Sequence, residues 1–372
     1  MTAPPAAGAG RLILALAFGA AVVLTSPFVA DVRDALRRSA GANYTLALNL
    51  IVFGAVALAG AAAVFRIRYR RLFRYSAIAA AFLAGAIYAW ANALPGVERF
   101  HFIEYGLVTF LFYRAALPRA AASAGSLPAD LSLVVVPTIA ALIVGTADEW
   151  VQWFVPRRYG EVRDIFLNAA AIGCGLLFSF GAEPPEGLRS RPTRRSLSLM
   201  TSLAAAAVLA LGAFLWSVHL GYLVEDDEIG AFRSRHTSPQ LLASSADRAA
   251  RWGGGPPPDA GTVTREDQYL TEGIWHVQAR NEAWASQAIE AAWHENRILE
   301  KYFAPVLRAG HAWPAAQRAD AGARRGPDTG RRFESRAERY PLLTWDKWTF
   351  VSVVVVLATL LLAINFTSSR WC

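Results

Sequence analysis

The stretch LSLVVVPTIAALIVGTADEWVQWF, Leu131–Phe154, decides the fold. From Leu131 to Ala147 it carries no charge. About 20 mostly apolar residues suffice to cross the roughly 30 Å of bilayer hydrocarbon as a helix. A soluble helix keeps one polar face, and this one has none until its end. There Asp148, Glu149 and Gln152 interrupt the apolar run. The reading is a membrane-spanning helix with a polar end.

Seven more runs of this kind flank it: Leu12–Ala30, Tyr44–Phe65, Tyr75–Leu94, Phe100–Leu117, Ile165–Ala182, Leu197–Val224 and Trp348–Phe366. The fourth run in the chain, Phe100–Leu117, is the most polar, with His101, Glu104 and Arg114. The expected fold is therefore all-α, a polytopic transmembrane bundle of about eight helices. The first run is expected to stay in the protein as a helix. Its end, Phe28-Val29-Ala30, has a bulky residue where signal cleavage wants a small one.

The composition agrees. The chain has 372 residues, 54% of them hydrophobic, and a formal charge of +8. Acidic and basic residues nearly balance in 225–344, so the excess arginine lies in the short loops. That pattern sets membrane orientation and speaks against a nucleic-acid partner. Arg66, Arg68, Arg70, Arg71 and Arg74 follow the second run, and Arg189, Arg191, Arg194 and Arg195 follow the sixth. Placing these loops inside puts both termini in the cytoplasm and residues 225–344 outside. Cys174 and Cys372 offer no disulfide framework.

The outer insertion reads as mainly helical. Arg265–Leu307 reads as mainly helical, and Val277, Trp284, Ala288, Ala292, Leu299, Phe303 and Val306 fall at helical spacing and make one apolar stripe. If the helix is continuous, His276 and His294 lie on one face but about 27 Å apart and could not share a metal. His294-Glu295 lacks the second His of a zincin motif. No metal and no cofactor are expected anywhere in the chain. His219, alone in the seventh run, reads as a satisfied packing residue.

Ionisable residues inside membrane helices are expensive and default to functional candidates. Here they gather in two places. One is Glu98, Arg99, His101 and Tyr105, entering the fourth helix. The other runs from Asp148, Glu149 and Gln152 through Arg157 and Arg158 to Asp164 and Asn168. The fourth and sixth helices enter the membrane from outside, and the fifth leaves toward the outside. All the polar ends thus meet at the extracytoplasmic leaflet. Asp148 and Glu149 point about 100° apart on a helix. One is expected to face the pocket while the other pairs with an arginine. Structural alternatives stand beside each functional one: a buried salt bridge locking helices five and six, arginines meeting lipid phosphates, and Asp164 stabilising a helix N-terminus.

The order His-x3-Tyr, Asp-Glu-x2-Gln and Pro-x-Arg-x5-Asp-x3-Asn resembles the VanZ-like family. It is carried here by His101/Tyr105, by Asp148-Glu149-Trp150-Val151-Gln152, and by Pro156-Arg157-Arg158 with Asp164 and Asn168. The family's usual Asp-Lys before the first motif is Glu98-Arg99 here, and its usual Gly between Pro and Arg is Arg157. The motifs span about residues 95–180, and helices two and three complete the domain. The division expected is an N-terminal helix and loop (1–43), a VanZ-like transmembrane domain (44–182), a seventh helix (183–224), the extracytoplasmic insertion (225–344) and a C-terminal helix (345–372).

The resemblance implies a bacterial inner-membrane protein of the cell envelope, associated with teicoplanin-type glycopeptide susceptibility; it brings no settled mechanism. Three functions are open at this point. The first is binding of an anionic lipid-linked or peptidoglycan-related ligand at the outer leaflet. Glu98, Arg99, His101, Tyr105, Asp148, Glu149, Gln152, Arg158, Asp164 and Asn168 are the ligand-binding candidates. The second is a membrane-embedded hydrolase or transferase, although no Ser or Cys nucleophile stands out. The third is a structural protein that recruits a partner through the insertion. The membrane bilayer is the one partner common to all three.

Overall fold

The computed structural model describes residues 6–117, 130–155, 160–185, 191–252, 267–325, 332–338 and 340–368. The chain divides into two units, each with its own core. One comprises Met1–Gln152, Gly160–Phe214 and Val351–Cys372, the other Trp153–Tyr159 and Leu215–Phe350.

The first unit is a helix bundle. Its helices are α1 (Ala6–Ala40), α2 (Tyr44–Arg66), α3 (Arg71–Ala91), α4 (Phe100–Ala116), α5 (Ser132–Trp153), α6 (Val162–Ala182) and most of α7 (Arg194–Val218). Six helical stretches among the described residues are long and apolar enough to cross a membrane. The first of them, Ala9–Arg66, is 58 residues long because a short 3-10 turn at Gly41–Asn43 joins α1 to α2. At 1.5 Å per residue that is far more than one bilayer thickness, so the stretch holds two spans. Leu58, Phe65 and Leu72 are 73%, 76% and 85% exposed, which suits lipid and not water.

Helix α4 is the exception. It has 17 residues and packs against α1 and α6. Tyr105, Val108, Thr109, Phe112 and Tyr113 are buried on it. A helix enclosed by protein has less need of a lipid-compatible surface, which is why it tolerates His101, Glu104 and Arg114. It meets α6 at close range. A Cβ on Gly175 would lie 2.7 Å from the Gly106 Cα, so the two backbones touch there.

The far end of α6 is capped by arginines. Arg74, 5% exposed, donates to the carbonyls of Gly181 and Ala182, and Arg114 pairs with Glu183 at 2.9 Å. Cations at a helix C-terminus satisfy its orphan carbonyls and its dipole. Asp130 joins α5 to α7 by accepting from the backbone of Ser132 and Thr193 and from the Ser196 hydroxyl. Burial alone would raise its pKa, but these hydrogen bonds hold it below the ordinary carboxylate value.

The second unit contains the named strands found among the described residues. Strands β1 (Tyr222–Asp226) and β2 (Gly230–Ser234) form an antiparallel hairpin with Val224 opposite Phe232. Helix α7 therefore ends at Val218, short of the expected Val224. Val224 is apolar because it enters this unit's core, and its hydropathy mimics a longer span. Arg235 donates to the Ser217 and Val218 carbonyls and closes the helix end.

Helices α8 (Ser238–Arg251), α9 (Gln268–Ala285) and α10 (Ile289–Tyr302), the single turn α11 (Ala304–Val306) and α12 (Ala315–Arg324) complete the unit. The helical stretch is broken at Ser286–Ala288, where Gln287 takes φ 62. The predicted stripe is thus split between two arms of a helical hairpin. Val277, Leu299, Phe303 and Val306 share one core with Phe232 and Leu241, while Trp284 and Ala288 lie outside it. Helix α13 (Lys347–Ser368) follows, and Gly212 of α7 packs against its Val354.

Candidate functional site

Three helix ends of the first unit come together: the start of α4, the end of α5 and the start of α6. Tyr105 is fully buried and donates its hydroxyl to Asp148 Oδ2 at 2.8 Å. Gln152 Nε2 donates to the same oxygen at 3.0 Å and to Glu149 Oε1 at 3.2 Å. The i,i+4 spacing of Asp148 and Gln152 places them on one face, and the i,i+3 reach of Gln152 takes in Glu149. Asp148 thus faces α4. Glu149 Oε2 faces the backbone N–H of Glu161, 3.4 Å away. A Cβ on Gly160 would fall 2.0 Å from the Glu149 carbonyl oxygen, so only glycine permits this approach.

His101 and Asn168 join α4 to α6. His101 Nδ1 lies 2.7 Å from Asn168 Oδ1. An amide oxygen only accepts, so Nδ1 carries the hydrogen of this contact. The His101 ring stacks on Tyr105 with centroids 5.8 Å apart. At the rim, Arg163 pairs with Glu98 at 2.6 Å and approaches Asp164 at 3.7 Å. Arg99 donates to Asn49 Oδ1 of α2 and to the Leu94 carbonyl, each at 3.3 Å. Glu161, just ahead of α6, is pushed above its ordinary value by burial first and by the nearby Asp164 and Glu98 second, against the pull of Arg163.

Of the expected residues, Tyr105, Asp148, Glu149, Gln152, His101 and Asn168 thus form one connected set around the helix ends. Glu98 and Asp164 meet through Arg163, and Arg99 turns toward Asn49. Arg158, with Pro156, Arg157 and Tyr159, lies outside the described residues. The motif reading passed over Arg163, Asn49, Gly145 and Gly160. Arg163 stands beside Asp164 in sequence and Gly145 lies one turn before Asp148, so both were findable by helical spacing. Asn49 belongs to another helix and left no local signal.

The second unit has buried polar residues of its own. His276 Nδ1 meets Glu295 Oε2 at 2.6 Å, and Ser335 donates to Glu295 Oε1 at 2.5 Å. The serine lies on the carboxylate and not on the imidazole, which is the wrong order for activating a nucleophile. Glu272 takes hydrogen bonds from Ser234 and from the backbone of Arg235, and complete burial raises its pKa despite them. His294 Nδ1 is 2.7 Å from the Ile229 carbonyl, and His219 Nδ1 is 2.8 Å from that of Pro341. Among the described residues no group of His, Cys, Asp and Glu is arranged to hold a metal ion.

Residues 12–181 match the family described as VanZ/LLP1. The match takes in α1 as well as the motif-bearing helices, although the motifs themselves begin only near residue 95. No curated protein and no solved structure matches the chain. Over that stretch the protein resembles the VanZ/LLP1 family, and its apolar helices mark it as a membrane protein.

Proposed function

We propose that this VanZ-like membrane protein binds an anionic lipid-linked, peptidoglycan-related ligand in the outer leaflet of the bacterial inner membrane. The binding site is the cluster where α4, α5 and α6 meet. By this reading both termini are cytoplasmic, the insertion is extracytoplasmic, and the protein influences susceptibility to teicoplanin-type glycopeptides. Arg99, Arg158 and Arg163 serve the ligand's charge, since guanidinium groups bind phosphate through parallel N–H donors.

The observation that carries the reading is the inner end of the cluster. A purely architectural lock would satisfy its buried polar atoms, because each one left open costs about 1–3 kcal/mol. Asp148 Oδ1 and Asn168 Nδ2 have no hydrogen-bond partner, though both residues are buried. A structural lock between helices explains Tyr105–Asp148 and His101–Asn168 but not these two atoms.

Glycopeptide susceptibility tests the physiological part. A sensitive host expressing the wild type is expected to tolerate more teicoplanin than one expressing Arg158→Ala or Tyr105→Phe at equal membrane levels. Equal tolerance in all three would remove the link to glycopeptides.

A further inference from the structure

We infer that the inner end of this cluster takes a hydroxyl-bearing headgroup, a sugar or similar polyol joined through phosphate to the lipid. The inference rests on the reading that the cluster is a lipid-ligand pocket, and it names what that pocket selects. Asp148 Oδ2 is held by Tyr105 and Gln152, whereas Oδ1 is open. Asn168 Oδ1 is held by His101, whereas Nδ2 is open. The two residues are 5% and 0% exposed. They border the same ring. A Cβ on Gly145, one turn before Asp148, would lie 3.1 Å from Asn168 Nδ2 and 3.3 Å from Tyr105 Cε1.

The open pair is one acceptor and one donor. Phosphate oxygens would satisfy Asn168 but set like charge against Asp148. An ammonium group would satisfy Asp148 and leave Asn168 open. A hydroxyl donates to a carboxylate oxygen and accepts from an amide N–H, so neighbouring hydroxyls of a polyol satisfy both atoms. Phosphate is then left to the rim, where the Arg163 side chain is 62% exposed.

The test is binding to the full-length protein in lipid nanodiscs, with three probes: a polyprenyl phosphate, the same lipid carrying a hexose on its phosphate, and free hexose. The wild type is expected to bind the glycosylated lipid at least about tenfold tighter than the bare one, the worth of roughly one buried hydrogen bond. Asn168→Asp, which exchanges the donor for an acceptor of nearly the same shape, is expected to bring the two affinities within about twofold. Equal wild-type affinity for both lipids would overturn the inference and leave the lipid-ligand reading standing. Binding of neither lipid would overturn both. Free hexose binding as tightly as the glycosylated lipid would overturn the lipid-bound source of the polyol.

Discussion

At the scale of single residues, the cluster depends on contacts that tolerate little change. Gly175 lets α6 lie directly on Gly106 of α4. Gly175→Val is expected to force the helices apart and lower stability by about 1–3 kcal/mol or more, read as thermal unfolding in detergent. Gly173→Ala, with nothing within 4 Å of its Cβ position, is the matched control and should leave unfolding unchanged. Tyr105→Phe removes a hydroxyl that donates to the buried Asp148 at 2.8 Å. Hydrogen bonds to charged groups contribute about 1.5–3 kcal/mol, so a loss of that order in unfolding free energy is expected. A Tyr105→Phe protein as stable as the wild type would show that the Tyr105–Asp148 bond carries no net weight. The motif residues were legible one by one, because ionisable side chains stand out against apolar helices. Their partners were less so. Arg163 pairs with Glu98 across a long sequence separation, and only assembly of α4 beside α6 reveals it.

At the scale of elements, the helices were readable from hydropathy alone, but several boundaries were not, and α1 runs on to Ala40, past the expected Ala30. Helix α7 was expected to run to Val224 and ends at Val218. Apolar residues that enter a soluble core look the same in sequence as residues that face lipid. The break between α9 and α10 was hidden because Gln287 adopts φ 62 without being Gly or Asn. The hairpin-bearing unit has a pH dependence that can be worked out. Asp226 on β1 is raised by burial, but Lys301 at 2.5 Å and the Tyr302 hydroxyl at 2.8 Å outweigh this and hold its pKa below the ordinary value. A carboxylate depressed in the fold gives stability that is full above its unfolded pKa and lost as pH falls through the folded one. The protection of peptides from 222–234 and 289–302 against hydrogen exchange, relative to the intrinsic exchange rate at each pH, is therefore expected to fall on acidification below the normal carboxylate range. Asp226→Asn should exchange faster at neutral pH and lose most of that acid dependence. An unchanged acid response in Asp226→Asn would assign the effect to another group.

At the scale of the whole molecule, a VanZ-like membrane bundle carries a separately cored second unit. The arginines in the loops after the second, fourth and sixth apolar runs, with Arg119 in the middle one, were the sequence guide to sidedness. Single-cysteine variants in a Cys174→Ala, Cys372→Ser background test it. Ser286→Cys is expected to react with a membrane-impermeant thiol reagent in intact cells, and Ser76→Cys near the start of α3 is not. The opposite pattern would invert the topology and move the cluster to the cytoplasmic leaflet. The helical class and the polar ends that converge were readable because apolar length and charge position are local properties. The β-hairpin and the atoms left open at the inner end of the cluster were not, since both depend on which distant residues meet. The most direct test of the central claim is mass spectrometry of lipids retained by purified wild type and by a folded Arg158→Ala variant. One specific anionic lipid-linked species is expected with the wild type, and its loss with the variant. The same bulk lipids in both would contradict it and leave the cluster as architecture.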